Sequence, residues 1–336
     1  MNLYADPPHK AVPAGLLPTD AATVRFQPRA SVVAPPAFLA DVLDGLSRPD
    51  KSLPSKYLYD RQGSELFDQI TELPEYYLPR AEGALLQRAL PEIAPLIAPR
   101  TQLVEYGAGS LRNVRALLDL MEEPAAYVPI DISADHLLAG GRELARAYPK
   151  LKVVPCAADF TTPLHLMLPP GPKLAFFPGS TIGNFTPAEA EPFLRGVARL
   201  VGRHGALLVG VDVKKDPRVL WRAYNDVEGI TAAFNRNVLT RINREIGAGF
   251  DPHRFLHFAP YDEAEGRVEM RLVSDRTQAV YVAGRLFCFR AGESIHTENS
   301  YKYSVLEFRN LARRAGFKPL RTWNDKHFSL HFLCVP

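Results

Sequence analysis

The segment that most constrains the fold is residues 103–110 (LVEYGAGS), an apolar run that contains Glu105 and continues into Gly107 and Gly109. Because glycine lacks a Cβ, a strand that turns through these residues brings bare backbone to the carboxyl edge of a parallel sheet. Open α/β sheets bind ligands at that edge. Residues 111–121 carry apolar side chains at helical spacing, which predicts a strand, a glycine turn and a helix. A single GxG turn also occurs where no ligand binds, so alone it leaves the function open.

Two further strand-like runs end in acidic residues. Residues 126–133 include Asp131, and residues 151–160 end in Asp159 and Phe160. An acidic side chain at the end of the second strand is placed to bind the two hydroxyls of a ribose. Asp159 is a candidate acceptor for the exocyclic amine of adenine, and Phe160 can cover the ring. Taken alone, Asp159 is more typical of a helix cap or a turn.

Acidic residues at three successive strand ends, Glu105, Asp131 and Asp159, predict a nucleoside site. Dinucleotide sites carry a third glycine three residues after Gly109, and here Arg112 occupies that position. The missing glycine disfavours a pyrophosphate packed on the helix. We therefore predict a pocket for S-adenosylmethionine, a nucleoside without phosphates.

Composition narrows the classes of protein to which the chain can belong. The chain has 336 residues, of which 46% are hydrophobic and 23% charged, so it is predicted to be globular with two packed domains. Its net charge of +3 is small and forms no basic stripe, which disfavours nucleic-acid binding. No apolar run approaches the roughly 20 residues of a membrane helix, and no secretion signal is evident, so we expect a cytoplasmic protein that binds no membrane. Cys156, Cys288 and Cys334 are predicted to be buried thiols.

Metal binding is not predicted. Two histidine pairs are spaced by four residues: His253 with His257, and His327 with His331. The second pair lies in an alternating, strand-like run. A strand would place its two side chains on one face but about 13 Å apart, too far for one metal ion.

Residues 1–30, rich in Pro and Ala, are predicted to be a flexible leader. Strands and helices alternate through Val213, and the pattern then changes before it returns in the last helix and two strands. This predicts an α/β fold, a Rossmann-like class I methyltransferase sheet with an inserted α+β substrate-binding domain. The two domains are predicted to comprise the following residues: 31–80 with 214–302 for the substrate, and 81–213 with 303–336 for S-adenosylmethionine.

Some local assignments carry consequences for the site. Ser64 is predicted to cap a helix that stops at Pro74, and residues 81–98 are predicted to form a helix that its prolines break or bend. Asn184, in the turn after the fourth strand, either caps the next helix or holds a substrate carboxylate. Residues 267–289 are predicted to form an antiparallel meander.

Six segments resemble the S-adenosylmethionine-dependent histidine Nα-methyltransferases of ergothioneine biosynthesis. They are residues 55–60 (SKYLYD), 63–68 (GSELFD), 73–77 (LPEYY), 179–184 (GSTIGN), 231–237 (TAAFNRN) and 297–300 (TENS). The resemblance covers nearly the whole chain from about residue 38, and these motifs are more specific than the general methyltransferase fold.

The resemblance implies transfer of three methyl groups to the α-amino nitrogen of L-histidine. The products would be hercynine and S-adenosyl-L-homocysteine, made by a cytoplasmic enzyme that is expected to be a monomer and to need no metal. The implied substrate contacts are Asn184 and Tyr224 on the carboxylate, Gly179 and Tyr59 near the amino nitrogen, Phe67 as a wall, Tyr76, Glu298 and Ser300 on the imidazole, and Met270 packed against it. Of these, Tyr59, Gly179 and Asn184 are the expected catalytic residues.

On the cofactor side, the resemblance implies Gly107, Asp131, Asp159 and Phe160. The strand-and-turn pattern adds Glu105 and Gly109, and Tyr59 is expected to contact the cofactor as well as the substrate. Asn113 is a further candidate, although many relatives have Lys at its position.

Two alternatives stay open. The enzyme can methylate another amino acid such as tryptophan, or the chain can be a binding protein that kept the fold without the chemistry. Glu298 and Ser300 favour histidine, because an indole offers one donor and needs more room. Without the resemblance, Glu298 would also be consistent with a surface carboxylate after a turn.

Overall fold

The structure is a computed structural model that describes residues 35–336 except residues 110, 165 and 167. The predicted leader, residues 1–30, lies outside the described residues. The strands are β1 (Gln102–Tyr106), β2 (Ala126–Asp131), β3 (Cys156–Ala157), β4 (Lys173–Phe177), β5 (Ala206–Asp212), β6 (Phe255–Phe258), β7 (Tyr261–Asp262), β8 (Arg267–Ser274), β9 (Gln278–Val282), β10 (Arg285–Phe289), β11 (Ser294–Tyr301), β12 (Lys318–Asn324) and β13 (Phe328–Cys334). The helices are α1 (Pro35–Ser47), α2 (Arg61–Glu72), α3 (Leu78–Ile93), α4 (Arg112–Leu118), α5 (Ala134–Ala147), α6 (Pro187–Val201), α7 (Pro217–Tyr224), α8 (Ile230–Ile246) and α9 (Val305–Arg314).

The central sheet has the order β12-β13-β5-β4-β1-β2-β3. Strands β1 to β5 pair in parallel, whereas β13 runs antiparallel to β5 and β12 antiparallel to β13. Every residue of β1 is buried, as expected for a parallel strand that is covered on both faces. Helices α3, α4 and α5 pack on one face, and α6 and α9 pack on the other. The predicted fold class is confirmed.

A second region consists of α1, α2, α7 and α8 with a small antiparallel sheet of order β11-β8-β6, and β7 also pairs with β8. Its hydrophobic core draws on residues 38–78, which precede the sheet in sequence, and on residues 220–295, which are inserted between β5 and β12. The region is α+β, as the insertion pattern indicates. Its assignment as a separate substrate-binding domain stays a prediction.

Two helix assignments need correction. Helix α2 begins at Arg61, because the Asp60 side chain accepts the Gly63 N–H at 2.8 Å, and Ser64 lies inside the helix. The predicted stop before Pro74 is correct. Helix α3 ends at Ile93 and not at residue 98, and a short 3₁₀ turn follows it.

Strand assignments also differ in places. Strand β3 has two residues where residues 151–160 were predicted, since Pro155 cannot donate to a ladder. The predicted meander is wrong, because β8 pairs with β11 and β6 while β9 and β10 form a separate hairpin. One face of that hairpin meets solvent, so Cys288 is exposed; Cys334 is partly exposed, and only Cys156 is buried as predicted. No helix in the described part of the chain is long and apolar enough to cross a membrane.

Candidate active site

A cavity of about 1210 Å³ lies at the carboxyl edge of the central sheet, where the second region covers it. Most of the predicted site residues line this cavity. They are Tyr59, Phe67, Tyr76, Gly107, Gly109, Asp131, Asp159, Phe160, Gly179, Asn184, Tyr224, Glu298 and Ser300. Glu105, Asn113 and Met270 do not line it.

The glycine turn after β1 forms one wall. The N–H groups of Gly107 and Ala108 both donate to the Ile130 carbonyl, at 2.9 and 3.2 Å, which ties the turn to β2. Gly107 has φ +69°, a left-handed conformation that favours glycine. The turn therefore keeps bare backbone at the cavity, next to Asp131 at the end of β2. The Asp131 carboxylate accepts the Ser133 N–H at 2.8 Å, which fixes its direction.

Asp159 adopts the turn role that its position alone suggested, and its second oxygen faces a cation. Its Oδ1 accepts from the N–H and hydroxyl of Thr161, as in a turn, while Oδ2 lies 3.2 Å from the Lys56 ammonium. Lys56 also lines the cavity and approaches Asp41 at 3.3 Å. The sequence analysis did not single out Lys56, although it stands beside the tyrosines of the SKYLYD segment.

Glu298 is the central group of the opposite wall. It lies on β11, where the register with β8 shifts between His296 and Glu298, and such bulges re-aim side chains. The side chain is 7% exposed, so the surface-carboxylate alternative is wrong. Its Oε1 accepts from the Tyr59 hydroxyl and from the Asn184 amide, each at 3.1 Å. Burial raises the pKa of Glu298 to about 8, although the Tyr59 hydrogen bond and the Lys302 charge counteract this.

An aromatic wall runs from Tyr59 towards Tyr224. Ring centroids are 5.6 Å apart for Tyr59 and Phe67, 6.3 Å for Phe67 and Tyr76, and 6.0 Å for Tyr76 and Tyr224. Desolvation raises the pKa of Tyr59 and of Tyr76 well above the ordinary value. These hydroxyls are therefore neutral and serve as hydrogen-bonding groups at neutral pH.

Asn184 ends a 3₁₀ turn (Thr181–Asn184) that leaves β4. Its capping alternative is wrong, because Thr186 caps α6 in a capping box with Glu189. The turn packs tightly on β11: a Cβ on Gly183 would lie 2.8 Å from the Tyr301 carbonyl oxygen. This close approach brings Asn184 to Glu298.

Below Tyr224 lies a buried ionic cluster that the sequence analysis missed. The Lys302 ammonium is 2.9 Å from the Tyr224 hydroxyl, 2.8 Å from the Ser300 hydroxyl and 2.8 Å from the Asp212 carboxylate. Asp212 also binds Lys215 and accepts from Tyr77 at 2.7 Å. Burial alone would raise the pKa of Asp212, but the two lysines outweigh it and hold the pKa below its usual range. A lysine just after a strand gives no sequence signal for burial.

A second buried cluster explains where Asn113, one of the predicted cofactor residues, lies. Glu82 accepts the Gly179 N–H with both oxygens, at 3.0 and 2.9 Å, and the Asn113 amide at 3.1 Å. Asn113 thus supports Glu82 beneath the cavity. A Cβ on Gly210 would lie 1.9 Å from Glu82 Oε1, so glycine is required there. Burial raises the pKa of Glu82 to about 8.

Glu105 and Met270 also lie away from the cavity surface. Glu105 is 1% exposed, because its strand is covered on both faces. Its carboxylate accepts a hydrogen bond from the Tyr127 hydroxyl. Burial raises its pKa to about 8. Met270 lies in the hydrophobic core of the second region. The described residues contain no group of His, Cys, Asp and Glu side chains that could hold a metal ion.

Comparison with known proteins identifies relatives. A model of the family described as "Histidine-specific methyltransferase, SAM-dependent" matches residues 38–335. The "Histidine N-alpha-methyltransferase" of Mycobacterium tuberculosis is 41% identical over 295 residues, which are 86% of this chain and 92% of that protein. The "Ergothioneine biosynthesis protein 1" of Neurospora crassa is 33% identical over 297 residues, 84% of this chain and 33% of that protein. Among solved structures, the CcbJ methyltransferase of Streptomyces caelestis is 18% identical with a TM-score of 0.49, covering 84% of this chain and 99% of that chain.

The family match spans almost all of the residues that the structure describes. It begins within α1 and ends one residue after β13, so it includes both the central sheet and the second region. The chain belongs to the family of histidine-specific, S-adenosylmethionine-dependent methyltransferases.

Proposed function

We propose that the protein transfers three methyl groups from S-adenosylmethionine to the α-amino nitrogen of L-histidine, giving hercynine for ergothioneine biosynthesis. One observation carries the proposal. A single cavity joins the glycine turn and Asp131 at the sheet edge to a buried carboxylate, Glu298, that neutral donors hold in place. The names of the relatives, histidine N-alpha-methyltransferase and ergothioneine biosynthesis protein 1, support this substrate and pathway.

The cofactor end of the cavity fits a nucleoside. Asp131 would bind the ribose hydroxyls, Asp159 the adenine amine and Phe160 the ring face, while the open backbone at Gly107 and Gly109 leaves room for the chain that carries the sulfur. When bound, S-adenosylmethionine supplies a methyl group on a positively charged sulfur. No contact of Glu105 with the cofactor is proposed, because its carboxylate is turned towards Tyr127.

The substrate end fits histidine through several polar groups. Glu298 would accept an imidazole N–H, since no hydrogen bond to its Oε2 occurs among the described residues while Oε1 keeps Tyr59 and Asn184. Asn184 and Tyr224 would donate to the substrate carboxylate, and Ser300 and Tyr76 would contact the imidazole. Phe67 closes the wall, and Met270 supports it from the core.

The site would bind the neutral form of the amine, because an α-amino group is mostly protonated at pH 7 and only the neutral form has a free lone pair. The proton lost on binding, and the one released after each methyl transfer, would pass to water. The Tyr59 hydroxyl donates to Glu298, so its oxygen can accept an amine N–H without carrying charge. Placement of the amine at attack distance would supply most of the rate. Neutral groups suit this position, because a fixed anion beside a sulfonium would stabilise the charge that the reaction removes.

Mass spectrometry tests the proposal. Purified protein is incubated with S-adenosylmethionine and L-histidine, and in parallel with the other common amino acids. We expect a gain of three methyl groups on histidine and on no other amino acid. Methylation of tryptophan or another amino acid in place of histidine would overturn the substrate. Cofactor binding without any methylation would favour a binding protein that lacks the chemistry.

A further inference from the structure

Lys302 does not line the cavity, but it contacts two side chains that do, Tyr224 and Ser300. Its side chain is fully buried, and its ammonium contacts Tyr224, Ser300 and Asp212 at 2.8 to 2.9 Å. An ammonium has three N–H donors and no acceptor, so each of the three partners accepts one N–H hydrogen bond. The oxygens of Tyr224 and Ser300 are therefore acceptors towards Lys302.

This arrangement fixes what the two hydroxyls can offer to a ligand. Tyr224 and Ser300 lie 2.7 Å apart, and only one of their two protons can lie between the oxygens. No other hydrogen bond to either hydroxyl oxygen occurs among the residues that the structure describes. One hydroxyl proton thus remains for the cavity that both side chains line. The pair presents a donor to the substrate.

The charge beneath the pair favours an anion. Asp212 is shared by Lys302 and Lys215, which makes two cations for one carboxylate. Burial lowers the pKa of Lys215 to about 8, aided by the Lys302 charge and opposed by Asp212. Lys215 is therefore still mostly protonated at pH 7, and the cluster keeps a net positive charge below Tyr224.

We propose that Lys302 is a positioning residue for the substrate carboxylate. It holds the hydroxyl pair of Tyr224 and Ser300 so that one of their protons points into the cavity, and it supplies the positive charge that favours an anionic group there. This inference rests on the proposed function, since it assigns the carboxylate of the amino-acid substrate to this end of the cavity. Lys302 acts through Tyr224 and Ser300 and touches neither substrate nor cofactor.

The experiment compares L-histidine with L-histidinamide, which replaces the carboxylate by an uncharged amide. Wild type, Lys302→Met and Lys215→Met are titrated with each compound by calorimetry in the presence of S-adenosylhomocysteine, and KM and kcat are measured for each. Lys215→Met is the matched control, because it removes a cation from the same Asp212 but leaves the donors to Tyr224 and Ser300 intact.

We expect Lys302→Met to raise the Kd and KM for histidine at least tenfold and those for histidinamide less than threefold. Lys215→Met should affect histidine less than Lys302→Met does. Equal losses for the two compounds, or a lower kcat with unchanged KM, would show a merely structural lysine and overturn the proposal. If Lys302→Met does not fold, Lys302→Gln replaces it with the same expected order of effects.

The wild-type data separate this proposal from the proposed function. A wild type that binds neither compound but binds and methylates another amino acid would overturn the histidine assignment; repeating the comparison with that amino acid and its amide would then decide the role of Lys302. A wild type that prefers histidine over its amide by less than threefold would overturn the role of Lys302 even if histidine is methylated.

Discussion

The ionic cluster around Asp212 and the cluster around Glu82 lie beneath the same cavity and are equally buried. Asp212 is 0% exposed and binds Lys302 and Lys215. Glu82 is 2% exposed, and its partners among the described residues are neutral donors, the Gly179 N–H and the Asn113 amide. The pKa of Asp212 is lowered, whereas burial raises that of Glu82 to about 8. The charge of the partners, and not the degree of burial, therefore decides whether the pKa of each carboxyl is raised or lowered.

The difference suits the two ends of the reaction. Neutral hydrogen bonds recover only part of the solvation that a buried carboxylate loses, whereas a cation at about 3 Å favours the charged form strongly. Glu82 holds Gly179, beside the expected position of the amine, and at neutral pH it is mostly uncharged there. Asp212 retains its charge and keeps two lysines at the carboxylate end. With substrate and cofactor bound as proposed, the cavity would have a neutral floor near the sulfonium and a charged floor near the substrate carboxylate.

Asp212→Asn should have the largest effect, because it leaves two buried lysines without their carboxylate. Removing one partner of a buried ion pair costs about 3–5 kcal/mol. Urea denaturation at pH 7 measures this loss in the free energy of unfolding. Asp216→Asn is the matched control, since Asp216 caps α7 at the surface and asparagine caps as well, so its change should stay within about 0.5 kcal/mol. A loss below about 1 kcal/mol for Asp212→Asn would contradict the role of the cluster.

Glu298→Ala extends the comparison to a buried carboxylate that faces the cavity. Loss of this acceptor would leave a buried imidazole N–H unpaired, which costs up to about 3 kcal/mol whether or not the carboxyl is charged, so we expect the KM for histidine to rise at least tenfold while S-adenosylhomocysteine still binds. Glu293→Ala is the control, because Glu293 pairs with Lys51 and does not line the cavity. An unchanged KM for histidine would remove Glu298 from the substrate site.

Glu82→Gln tests the neutral cluster through the pH dependence of stability. Because the folded pKa of Glu82 is about 8 and its ordinary value is 4.5, its contribution to stability is complete below pH 4.5 and is lost as the pH rises to 8. Glutamine lacks this loss. The free energy of unfolding of Glu82→Gln minus that of wild type should therefore increase by at least ~1 kcal/mol between pH 5 and pH 9. A difference that is independent of pH would show that Glu82 is ionised throughout.

The sequence was sufficient for the sheet, because hydrophobic runs, the glycine turn and acidic strand ends all follow from local chemistry. The resemblance supplied candidate substrate residues, and the cavity brings most of them together. The sequence was not sufficient where two neighbouring residues are both suited to the same local role. Asp60 and Ser64 are both good helix caps, and the Asp60 hydrogen bond to Gly63 decides between them.

Buried charged residues were the main feature of the site that the sequence did not predict. Lys302 follows β11 and Glu82 lies on an amphipathic helix, so each has the pattern of a solvent-exposed residue. Their burial depends on partners that are distant in sequence, Asp212 for Lys302 and Gly179 for Glu82. Such pairings are set by the packing of the second region and α3 on the sheet. The prediction that Glu105 contacts the cofactor has a related weakness. An acidic residue in a fully buried strand can turn away from the ligand edge, and Glu105 turns towards Tyr127.

Asn113→Lys should have the smallest effect and tests the comparison most directly, because it gives Glu82 the kind of partner that Asp212 has. The Asn113 amide already lies 3.1 Å from Glu82 Oε2, and a lysine ammonium at this half-buried position can approach the same oxygen. The added cation should lower the pKa of Glu82, so less stability is lost as the pH rises from 4.5 to 8. We expect a gain of about 1 kcal/mol over wild type at pH 9, which disappears near pH 4.5, by urea denaturation across this range. Asn113→Gln, which adds length without charge, should not change the slope. An equal slope for Asn113→Lys and Asn113→Gln would mean that the partner's charge does not set the behaviour of Glu82, and the contrast with Asp212 would then need another cause.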